Sequence, residues 1–99
     1  MGAHSFHCSA IGQLPAEAYR SAVDAALYEE GHNAYNGTIS TTSGYVEIPL
    51  LGDESIDEWV QRVTMDPRIQ KWENCGCVED PEIASENGPL WHFAGWAAC

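Results

Sequence analysis

Leu90 to Ala98 reads LWHFAGWAA. In an extended chain successive side chains point to opposite sides, so Trp91 and Phe93 face one way and Leu90, His92 and Trp96 the other. Both rows are rich in apolar and aromatic groups. That pattern predicts either a central strand covered on two sides or a strand whose second face meets a partner.

The rest of the chain supplies neighbours for such a strand. His4 to Ile11 alternates His4, Phe6, Cys8 and Ala10 against Ser5, His7 and Ser9, a half-buried strand pattern. After Gly12-Gln13-Leu14, Pro15 suits a first helical turn, and Tyr19, Ala22, Val23, Ala26 and Leu27 recur at helical spacing up to a stop at Gly31. Thr38 to Thr42 is β-branched and rich in hydroxyls, and Tyr45 to Ile48 resumes an extended pattern, so the two pieces are expected to form a hairpin or one bent strand. Ser55 followed by Glu58 is a capping box, with Ile56, Trp59, Val60 and Val63 on one face of the helix it opens. Asp66-Pro67 is expected to break that helix, with one further turn over 68–72. Cys75 to Val78 reads as a short strand, and Glu79 to Pro89 as an acidic loop ending at Asn87-Gly88-Pro89. The order predicts one domain over residues 1–99: an α+β fold with a mainly antiparallel sheet of about four strands and two helices packed on one face.

Fifteen Asp and Glu stand against four Lys and Arg, a net charge of −11. Such a field repels phosphate backbones and anionic bilayers, so the expected partner is a protein with a basic surface rather than nucleic acid or a membrane. The first residues lack the basic and apolar regions of a secretory signal, which leads to the expectation of a cytoplasmic protein with reduced Cys8, Cys75, Cys77 and Cys99.

Several groups of residues carry chemistry. Asp53, Glu54, Asp57 and Glu58 at the start of the second helix, with Glu79, Asp80 and Glu82 further on, could form an acidic surface that imitates a phosphate track. Glu29, His32, Tyr35, Asn36 and Thr38 could line an alternative ligand-binding or hydrolytic site, because a carboxylate beside an imidazole fixes its tautomer and raises its pKa. No nucleophile with an activating base can be assigned, so no catalytic residue is named. Four histidines and four cysteines provide metal-ligand types, but without paired ligand spacing no metal or other cofactor is expected. Trp72 and Trp96 are the tryptophans expected to be exposed as interface anchors.

Ala26 to Gly44, ALYEEGHNAYNGTISTTSG, and Trp91 to Cys99, WHFAGWAAC, resemble small uncharacterised accessory proteins of bacteriophages, particularly those of actinobacteria. The resemblance covers nearly the whole chain and implies expression in a bacterial host. It favours a binder, acting on a host or phage protein, over an enzyme, and it brings no catalytic or binding residues with it.

Overall fold

The computed structural model describes residues 2–30, 37–70 and 72–98, with only the backbone of Glu30. Its sheet has four strands: β1 (Ala3–Ile11), β2 (Gly44–Glu47), β3 (Asn74–Ser85) and β4 (Gly88–Ala98), in the spatial order β1-β4-β3-β2. Helix α1 (Pro15–Glu30) and a single 3-10 turn (Ile39–Thr41) join β1 to β2, and α2 (Ile56–Thr64) joins β2 to β3. The sequence LWHFAGWAA lies within β4, which pairs antiparallel with β1 from Ala3↔Ala98 to Ile11↔Leu90 and with β3 on its other side.

The expected α+β class holds, and several details differ. First, β2 forms no hairpin with the preceding hydroxyl-rich segment. Residues 39–41 curl into the 3-10 turn, and β2 pairs parallel with β3, Gly44↔Asn74 to Glu47↔Cys77. Second, the helices lie on opposite faces. Ala18 and Ala22 of α1 pack with Cys75, Cys77, Trp91 and Phe93, whereas Trp59 and Val63 of α2 pack with Ile48, Val78 and Ala94. These are the odd and the even positions of β3 and β4, so each helix covers one side. The topology gives the reason. β1, β2 and β3 are mutually parallel, and the β1-to-β2 connection crosses the sheet from edge to edge while β2-to-β3 returns. Parallel crossovers are right-handed almost without exception, so reversing the direction of travel puts the second helix on the other face.

The packing on each side follows from side-chain size. Ala18 and Ala22 let α1 approach the sheet, and Tyr19, Tyr45 and Phe93 fill the space beside them with ring centroids 5.4 to 6.4 Å apart. On the other side Gly76 leaves room for Val63: a Cβ at position 76 would sit 2.5 Å from Val63 Cγ1. Three tryptophans anchor neighbouring segments through their indole N–H groups: Trp59 donates to Ile48 O, Trp91 to Gly12 O and Trp96 to Thr64 O at the end of α2. Trp96 is half-buried by that contact, while Trp72 is exposed and takes a left-handed φ of 69°.

The capping box of α2 is formed as the sequence predicts, with Ser55 Oγ accepting from Glu58 N and Glu58 Oε1 accepting from Ser55 N. After α2 the chain makes turns at Asp66-Pro67-Arg68 instead of a further helical turn. The acidic segment after Val78 is not a loop. It continues β3, and Glu79↔Trp91 is followed by Ala84↔Pro89, so residues 80–83 bulge opposite Leu90 alone. Asp80 Oδ1 holds the bulge by accepting from the N–H groups of Glu82 and Ile83, and Pro81 lies inside it, where a missing donor is tolerated.

Candidate functional site

The acidic residues singled out from the sequence have divided roles. Glu54 accepts two hydrogen bonds from Arg62, at 2.8 Å each, which hold its carboxyl below the ordinary range. Glu58 closes the capping box, and Asp80 holds the bulge. Asp53, Asp57, Glu79 and Glu82 are exposed, with no ion pair among the described residues. Asp57 lies close enough to act electrostatically on His7, on the α2 side of the sheet. Glu79 instead belongs to the α1 side and lines a cleft of about 550 Å³ with Glu47, Pro49, Leu50, Cys77 and Trp91. Glu47 was not singled out by sequence reasoning; it closes a four-residue strand, and its register with Cys77 brings it near Glu79.

Of the alternative site, His32, Tyr35 and Asn36 lie outside the described residues. Glu29 and Thr38 do come together, on a separate cleft of about 270 Å³ lined also by Phe6, Cys8, Ala22, Ala26 and Ile39. The hydroxyls nearby have structural uses. Thr38 Oγ1 caps the 3-10 turn, Thr41 Oγ1 accepts from Ala98 N at 3.0 Å, and Thr42 Oγ1 lies 2.6 Å from Tyr19 OH. This run of hydroxyls therefore ties the turn to β4 and to α1.

Cys8, Cys75 and Cys77 are free thiols on the α1 side, and burial pushes them up, Cys8 to about 11 and Cys77 to about 12. Such thiols are poor nucleophiles at neutral pH. Among the described residues no three His, Cys, Asp or Glu side chains come together as metal ligands. Also among the described residues, no helix is long and apolar enough to cross a membrane.

One arrangement was invisible as a unit in the sequence. His92 Nε2 lies 2.7 Å from Asp80 Oδ2, and His92 Nδ1 lies 2.9 Å from His7 Nε2, so three strands contribute to one chain of side-chain hydrogen bonds. The His92 and Asp80 side chains are only 11% and 8% exposed, whereas His7 is exposed. The bond from His92 is the main cause that lowers the Asp80 carboxyl, and burial is the main cause that lowers His7, followed by the charge of His92 and opposed by Asp57. His7 and His92 are 85 positions apart, and no local signal links them. Their alternation onto one strand face was legible; their pairing needed the β1–β4 register.

Among the described residues, two clefts lined partly by carboxylates and one part-buried Asp-His-His chain are thus features available for function. No protein-family model, curated protein or solved structure matches this chain.

Proposed function

We propose that this chain is a small acidic accessory protein that binds a basic surface on another protein. On its resemblance to bacteriophage proteins, we further propose that the partner is a host or phage protein, a nucleic-acid-binding or defence enzyme whose basic site it occupies.

The observation that carries this reading is the cleft between Glu47 and Glu79. Its lining includes two exposed carboxylates together with the apolar Trp91 and Leu50. A lysine or arginine side chain suits that combination, because the stem packs on apolar surface while the charged head reaches a carboxylate. Two of the protein's four basic side chains are already engaged, Arg62 by Glu54 and Arg68 by Asp66, at 2.8 Å each. Next to this cleft in sequence, Leu51 is 59% exposed on the turn that carries Asp53. An apolar side chain beside an exposed acid can supply contact energy while the charges steer the encounter.

The test is capture from bacterial lysate by the tagged chain and by a Glu47→Lys/Glu79→Lys variant, at low and at moderate salt. One stoichiometric partner is expected, bound by the parent chain at low salt, weakened by moderate salt and lost in the variant. The reversal leaves the α2 cap and the β3 bulge untouched and lowers the net negative charge, so the variant should melt no lower than the parent. Equal capture by both chains at both salt concentrations would sink the reading.

A further inference from the structure

We infer that Asp80, His92 and His7 form a proton-operated clasp that ties the edge strand β1 to the β3–β4 hairpin, closed at neutral pH and loosened on acidification. With both imidazoles neutral, the bonding pattern fixes where each proton sits. An ionised carboxylate only accepts, so His92 Nε2 must carry the hydrogen donated to Asp80. His92 Nδ1 is then an acceptor, and His7 Nε2 must be the donor that meets it. Both imidazoles are thereby held as Nε2–H tautomers, and His7 Nδ1 is left as the acceptor at the end of the chain. The carboxylate at one end sets the tautomer of a histidine two links away.

Two added protons are needed to break the pair. With one, the rings still have one N–H and one lone pair to share between them, so the His7–His92 bond survives, but a positive charge now sits in a partly desolvated site against a second imidazole. With two, no lone pair is left between the rings, and two N–H groups face each other where the bond had been. The charged groups that face His7 are His92 from β4, Asp80 beyond it from β3 and Asp57 from α2. Asp57 favours the protonated form, whereas burial, the largest influence on His7, and His92 oppose it.

The sign of the pH dependence follows. His7 has a lower proton affinity in the folded chain than its ordinary value of 6.5, so as pH falls through that value the unfolded chain takes up more protons and stability is lost. Asp80 is also lowered, from 3.8, so its own contribution is lost only in a separate window at more acid pH. The element that bears the loss is β1, an edge strand with a neighbour on one side only and no carboxylate, lysine or arginine in its nine residues.

The experiment has two arms on the intact chain. Long-range nitrogen–proton NMR spectra of the imidazoles at about pH 7.5 should show both His7 and His92 as Nε2–H tautomers; an Nδ1–H tautomer at either overturns the clasp. Amide exchange of β1, corrected for the intrinsic pH effect, is then followed from about pH 7.5 to about pH 5.5 in the parent and in His7→Gln. The opening constant of β1 in the parent is expected to rise across this range, by up to about tenfold, the change that one extra proton bound in the open state produces per pH unit. In His7→Gln, an exposed substitution that leaves the fold in place, it should stay flat. A flat parent, or a variant that rises with the parent, overturns the inference.

Discussion

Gly76 shows how one residue ties the sequence to the packing of two elements. Its missing side chain lets Val63 of α2 rest on β3, with a Cβ at that site also 3.3 Å from Ile48 Cδ1. Gly76→Ala is therefore expected to destabilise the fold by about 1–3 kcal/mol through overpacking. Adding Val63→Ala should recover part of that loss, because the methyl group would then have space. Urea denaturation of the two single variants and the double variant reads the coupling; strictly additive losses would refute the contact. The Cys-Gly-Cys triplet was legible as extended chain, but its role as a seat for α2 was not, since only the pairing of β3 tells which side position 76 faces. His92 is a similar case. Its strand face could be read from alternation, while its partners at positions 7 and 80 could not.

At the level of elements, what was legible depended on whether the signal was local. The start of α2 is written in four consecutive residues, and both bonds of its capping box form. Ser55→Ala should cost about 1 kcal/mol, and Ser55→Asp, which retains an acceptor, should cost much less. Thermal melts of the two variants check this, and equal losses would show that the cap is not the cause. β1, α1 and β4 were likewise readable from periodicity. By contrast, the second half of β3 carries acids and a proline in place of alternating apolar residues, so it reads as a loop. It becomes strand because Ala84 and Ser85 pair again with Pro89 and Gly88 of β4, beyond a bulge that Asp80 holds. The 3-10 turn was missed for a different reason. Thr38 to Thr42 has β-branched residues suited to a strand, yet their hydroxyls bond locally and to Ala98 N, which competes with extended pairing.

For the whole molecule, charge is the property that reaches furthest. A net charge of −11 on 99 residues acts against compaction, and the ion pairs at Arg62 and Arg68 relieve only part of it. The melting temperature at neutral pH is therefore expected to rise when sodium chloride is raised from about 10 mM to about 300 mM, as screening shortens the range of repulsion. A fall or no change would mean that attractive pairs outweigh the repulsion. The same screening should weaken binding to a basic partner, so salt is predicted to stabilise the free chain and destabilise its complex.

The sequence by itself determined the class of fold, the apolar character of both faces of β4, the two helices and the acidity of the surface, because each rests on composition or on short-range periodicity. Only the tertiary structure decided that the helices cover opposite faces, that β2 runs parallel to β3, and that Glu47 joins Glu79 and His7 joins His92 and Asp80. Those outcomes depend on strand order and register, which bring together residues far apart in the chain and which no window of neighbouring residues encodes.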